Sequence, residues 1–141
     1  MTNRVRARDL LWFTREVLEE MRRHRARGVW NGVVRRGQEV VENSLKAILL
    51  HLGAEYPRIH DPAPVLEEVV KHRGVPIDRG RLTWLRVASK ELAEIRGPAA
   101  YVEMLCNEDQ ASRAAAAADE AYLLAVEICG APPEGPFRGG S

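Results

Sequence analysis

Trp30, Val33, Val34, Gly37, Val41, Ser44, Leu45, Ile48 and Leu52 recur at steps of three and four residues, and this run constrains the fold more than any other feature of the chain. An apolar stripe more than twenty residues long, at the helical period, describes one long helix with a buried face. Gly37 and Ser44 are small contact points on that face, where a neighbouring helix can come close. Arg35, Glu39, Glu42 and Lys46 fall on the opposite side. Gly53 and Pro57 break the helix, and His60-Asp61-Pro62 opens the next one.

The same period recurs on both sides of this helix. A first helix is predicted from about Val5 to Arg27, with Ala7, Leu10, Leu11, Thr14, Val17, Leu18 and Met21 as its inner stripe and Gly28 as its stop. A third helix is predicted from about Ala63 to His72, with Pro62 and Pro64 near its first turn and Gly74 and Pro76 closing it. Leu82, Leu85, Ala88, Leu92 and Ile95 stripe a fourth, which is expected to stop at Gly97-Pro98. The fifth, from about Asp109 to Ile128, is dominated by alanine, so it can approach its neighbours closely while Tyr122, Leu124 and Ile128 fill volume. No alternating strand pattern of useful length occurs. The fold class expected is all-α, a five-helix up-and-down bundle spanning residues 1–130, followed by a disordered Pro/Gly-rich tail over 131–141.

A chain of 141 residues with 45% apolar and 29% charged residues is an ordinary single globular domain. No apolar stretch approaches the roughly 18 residues that span a bilayer, and the amino terminus leads into a charged helix without a signal-peptide core, so a cytoplasmic protein is expected with no membrane partner. Cys106 and Cys129 lack metal-type spacing and read as free thiols. The net charge of +1 conceals an asymmetry: residues 1–36 hold ten arginines against Asp9, Glu16, Glu19 and Glu20, a net of about +6. Such an end faces an acidic partner or a nucleic acid, or is simply a solvated face.

Gln38-Glu39-Val40-Val41-Glu42-Asn43-Ser44-Leu45-Lys46-Ala47, followed by Ile59-His60-Asp61, resembles the signature of the HEPN domain family of small prokaryotic helical proteins. The resemblance covers roughly Ala7 to Ile128 and implies the same bundle. It also implies a nucleotide-associated role, or a toxin–antitoxin-like one, often as the partner of a minimal nucleotidyltransferase. Catalytically active relatives are metal-independent RNases that carry an arginine and, after four to six intervening residues, a histidine. Histidine moves protons near neutral pH and the arginine stabilises charge developing on the phosphate. Here the histidines are His24, His51, His60 and His72, and no arginine stands at that spacing before any of them; Lys46 before His51 is the nearest match.

The tentative ligand-binding residues are therefore Gln38, Glu42, Lys46, Arg58, His60 and Asp61. Arg58 and His60 could meet a phosphate with Lys46 reaching across from the preceding helix. Each also has a plainer role: Asp61 as the N-cap of the third helix, Glu42 and Lys46 as a favourable surface pair one turn apart. No metal site and no cofactor are expected, since the histidines are scattered at uneven spacing. Arg8, Arg15 and Arg22 share a helical face with Trp12 among them and Phe13 beside it. A homodimer contact through Trp12, Phe13, Arg8 and Arg15 is expected, with the alternative that the carboxy-terminal tail or the loop after Ile95 covers Trp12 within one chain. The expectation is thus a non-catalytic HEPN-type module that binds a nucleotide, an RNA or a nucleotidyltransferase partner; the alternative is a divergent RNase using His51 or His60.

Overall fold

The computed structural model describes residues 2–55 and 58–135. They form five helices: α1 Asn3–Ala26, α2 Trp30–His51, α3 Ala63–Arg73, α4 Arg79–Ala100 and α5 Glu108–Cys129. Among the described residues there is no strand. The break expected at Pro57 lies outside the described residues, as does the tail beyond Gly135.

Local chemistry sets most helix starts. Thr2 accepts from the Val5 amide at the head of α1 and Asp78 accepts from the Arg81 amide at the head of α4. Asn107 and Gln110 form a reciprocal capping box on α5, with bonds of 2.8 and 2.9 Å. At α3 the residue at the cap is Pro62, not the expected Asp61. Pro64 removes an N–H in that first turn, so little remains there for a side-chain cap to serve.

α2 is the axis of the molecule. It packs against each of the other four helices, and Val33, Val34, Val40, Val41, Leu45, Ala47, Ile48 and Leu49 are essentially inaccessible. α1 folds back on it through Gly28, whose φ of 70° suits glycine. α5 lies along its other side, close enough that a Cβ on Gly37 would stand 3.1 Å from the Ala114 carbonyl oxygen. The alanines of α5 make this approach possible: Ala111, Ala114, Ala115, Ala117, Ala118, Ala121 and Ala125 are all buried. Two apolar layers result. Val17, Leu18, Met21, Val33, Val40, Ala111, Ala115 and Ala118 form the one near the α1–α2 turn, and a larger one joins the rest of α2 to α3, α4 and the second half of α5.

The structure departs from expectation at two chain segments. α4 runs through Gly97-Pro98 to Ala100. Pro98 deprives only the Glu94 carbonyl of its helical donor, and Glu94 is exposed to water, which can replace it. Ala99 is buried and anchors the extra turn. Residues 131–135, expected to be disordered, return along α1 beyond Gly130, where Arg8 and Trp12 hold two of their carbonyls.

Candidate functional site

The helical period of α2 puts Gln38, Glu42 and Lys46 in one row, each a turn apart. His60, ahead of α3, lies against that row. Glu42 is the hub. Its Oε1 accepts from Gln38 Nε2 at 2.9 Å and lies 2.7 Å from His60 Nδ1, and its Oε2 accepts from Lys46 Nζ at 2.9 Å. Gln38 also donates to the His60 carbonyl at 3.3 Å, fixing the loop by backbone and side chain together.

Glu42 and Lys46 therefore do not sit on an open polar face: their side chains are 14% and 13% exposed. Gln38, with 2% exposure, belongs to the core, and its amide is satisfied there. Burial pushes the Glu42 carboxyl up, but the donors Lys46, Gln38 and His60 together outweigh it and hold the group below its ordinary value. The result is a stable carboxylate that orients an imidazole half open to solvent, since His60 is 52% exposed.

Asp61 takes a different partner from the one expected. Its Oδ1 accepts from Ser89 Oγ at 2.6 Å, tying the loop to α4, and stands 3.4 Å from the Ala63 amide. Arg58 is exposed and makes no hydrogen bond or ion pair among the described residues, so Gln38, Glu42, Lys46 and His60 come together while Arg58 stands apart.

His51, at the end of α2, is separate from this cluster. Five residues of helix turn it about 140° away from Lys46. Its Nδ1 is buried without a hydrogen-bond partner among the described residues. Burial, and secondarily the charge of Arg4, lower its proton affinity. Among the described residues no group of three or more His, Cys, Asp or Glu side chains is placed to hold a metal ion, and no helix is long and apolar enough to cross a membrane.

A sequence profile described as the HEPN domain matches residues 7–129. The chain belongs to the HEPN domain family. Comparison with curated proteins and with solved structures finds no match. The HEPN family is generally associated with nucleotides and RNA, and the Glu42-centred cluster lies within the matched residues.

Part of the arginine-rich end is engaged within the HEPN domain itself. Arg22 pairs with Asp119 at 3.1 Å, and Arg36 pairs with Glu20 and Glu39 at 3.1 and 3.3 Å. Arg15 is partly buried and acts on the nearby Tyr122. Arg8 donates to the Ala131 carbonyl and Trp12 to the Glu134 carbonyl, so for Trp12 the intrachain alternative is the arrangement present. Phe13 remains 49% exposed.

One residue that the sequence reading passed over organises a whole connection. Asn31, in the first turn of α2, donates to the carbonyls of Ala99 and Met104 at 3.0 and 2.8 Å and accepts from the Cys106 amide at 2.8 Å. An asparagine at a helix start reads as a capping residue, and nothing in its sequence neighbourhood announces partners some seventy positions away.

Proposed function

We propose that this HEPN domain is a binding module without ribonuclease chemistry, a homodimer that acts with a minimal nucleotidyltransferase in a toxin–antitoxin-like pair. The observation that carries the reading is the position of Lys46. It stands where an RNase relative would carry arginine, its ammonium is directed to Glu42 at 2.9 Å, and the histidine at the matching spacing, His51, lies on another side of the helix with a buried ring nitrogen. The guanidinium whose charge His51 feels is that of Arg4 on α1, which does not stand at the RNase spacing before it. Phe13 on α1 and, separately, Trp84 and Val87 on α4, at 49%, 47% and 58% exposed, are among the apolar side chains open to subunit or partner contact.

The second reading, a divergent RNase, has one observation in its favour. Glu42 holds His60 by Nδ1, the arrangement that orients a general base, and the ring is half open to solvent. The two readings part in one experiment. The purified chain is incubated with folded and single-stranded RNA in the absence of metal, beside His51→Ala and His60→Ala variants, and its mass is measured by sedimentation at micromolar concentration. No cleavage above background is expected, together with a dimer. Cleavage abolished by His60→Ala moves the assignment to the RNase reading. Affinity capture from the native host then tests the partner: recovery of a protein with nucleotide-transfer activity supports the pair, and failure to recover one in repeated captures counts against it.

A further inference from the structure

α4 and α5 lie antiparallel, and ion pairs close the seam between them at two levels. Arg81, at the head of α4, holds Glu120 and Glu127 in the second half of α5; further along, Arg113 holds Glu91 at 2.9 Å. Between these two levels lies an apolar groove of about 190 Å³, lined by Trp84, Val87, Leu92 and Ile95 of α4 and Ala116 and Ala117 of α5. The inward stripe of α4 is already complete in Leu82, Leu85 and Leu92, so Trp84 and Val87, both about half exposed, are apolar surface beyond what the core uses.

The groove is smaller than the roughly 300–1,000 Å³ of sites that enclose small molecules, and suits one large side chain. Glu91 and Arg113, which line it, and Arg81 and Glu120, which flank it, are paired across the seam. Covering the apolar middle therefore strands none of these charges away from water without a partner. Trp84 is itself a wall of the hollow, so a projecting indole and a cavity that can receive a side chain are neighbours on one surface. A foreign partner needs only the cavity. A contact about a two-fold axis needs both, because the same patch meets itself and each copy must offer what the other receives.

We propose that this seam is an interface between two copies of this chain, with the Trp84 indole of each copy seated in the α4–α5 groove of the other. Leu123, half exposed and two turns beyond Ala116 on the same face of α5, continues the apolar patch. From Trp84 to Ile95 α4 spans about 16 Å, and from Gln110 to Leu123 α5 spans about 20 Å. With two helices side by side the patch is about 20 Å square, and its ridged surface approaches the roughly 600 Å² per copy at which stable interfaces begin. Tryptophan is enriched among the side chains that dominate such contacts. This inference rests on the dimer of the proposed function and on neither its ribonuclease nor its nucleotidyltransferase part.

The test compares the sedimentation of the full chain with that of Trp84→Ala, Ala116→Glu and Phe13→Ala, each checked for helix content by circular dichroism. Trp84→Ala removes the projection, and Ala116→Glu puts a charge into the cavity at an exposed helix position. Each is expected to weaken the dimer at least about hundredfold, because the change occurs twice in every dimer. Phe13→Ala, on a different helix, is expected to change it less than about threefold. In the nitrogen-15 spectrum of wild type, the Trp84 indole, assigned with Trp84→Phe, should shift most of the three indoles on dilution through dissociation. Should Trp84→Ala lose helix, Ala116→Glu and the indole shift decide. A dimer left intact by either substitution on the seam, one dissolved as readily by Phe13→Ala, or a Trp84 indole unmoved by dissociation overturns this interface and leaves the dimer standing. A wild type that is monomeric at micromolar concentration overturns the dimer itself and this inference with it.

Discussion

Glu42 and His51 lie on the same helix and both make the fold sensitive to acid, by opposite chemistry. Burial alone would raise the Glu42 carboxyl, but Lys46, Gln38 and His60 hold it below its ordinary value. Between that lowered value and the one it has in the unfolded chain, the unfolded state binds more protons, so stability falls as pH drops below about 4.5. His51 is lowered from 6.5 chiefly by burial. The unfolded chain therefore takes up this proton first, and stability begins to fall as pH drops through 6.5. Urea midpoints measured from about pH 8 to about pH 2.5 are expected to decline over two ranges. His51→Gln should flatten the upper range and leave the lower one, while Glu42→Gln should flatten the lower range from a reduced starting stability, by about 1–2 kcal/mol, since the amide keeps one acceptor oxygen and turns an NH2 toward the remaining donors. An upper range unchanged by His51→Gln would show that another group titrates there. Of these residues, Gln38, Glu42, Lys46 and His60 were legible in the sequence as a row on one helix and a loop signature. That Glu42 would be their buried hub was not, because burial there depends on how the loop over 58–61 closes.

Helix α5 presents alanines to α2, and the two approach until a Cβ on Gly37 would require Ala114 to give way by a few tenths of an ångström. Gly37→Ala gains helix propensity of about 1 kcal/mol, but its Cβ would stand 3.1 Å from the Ala114 carbonyl oxygen and 3.3 Å from the Ala114 Cβ. Overpacking of this kind costs about 1–3 kcal/mol, so a net loss of about 1 kcal/mol is expected in chemical denaturation. A stabilised Gly37→Ala would mean that α5 shifts freely, against this account of the seam. At the scale of elements the period of three to four residues was enough to read five helices and their buried faces, including the alanine stripe of α5. The end of α4 was misread because Pro98 is a local signal, whereas the burial of Ala99 and the grip of Asn31 on its carbonyl come from a helix far away in sequence. The ordered part of the tail was misread for a similar reason: composition describes how a proline- and glycine-rich segment behaves alone, not beside Arg8 and Trp12.

For the whole molecule, charge and packing are organised about different centres. Two of the ten arginines near the amino terminus find carboxylates, Arg22 with Asp119 on α5 and Arg36 with Glu20 and Glu39. Arg81 at the head of α4 grips Glu127 and Glu120 of α5, which drives its guanidinium further toward the charged form. The Arg22 and Arg81 contacts tie outer helices to α5, while α2 alone touches all four. In hydrogen exchange, that difference becomes a clock with two speeds. An amide in the middle of α2 has no route to solvent that leaves the rest of the protein intact, so Val40, Val41 and Leu45 should exchange only as fast as the entire chain unfolds, with a free energy equal to the global value. α3, which packs only on α2 and α4 and buries just Ala63 and Leu66, should open by itself at lower cost and exchange sooner. Matching exchange rates in α2 and α3 would show a single cooperative unit instead. The central position of one helix thus reserves its protection for the folded population as a whole, and leaves the local openings of this protein to its rim.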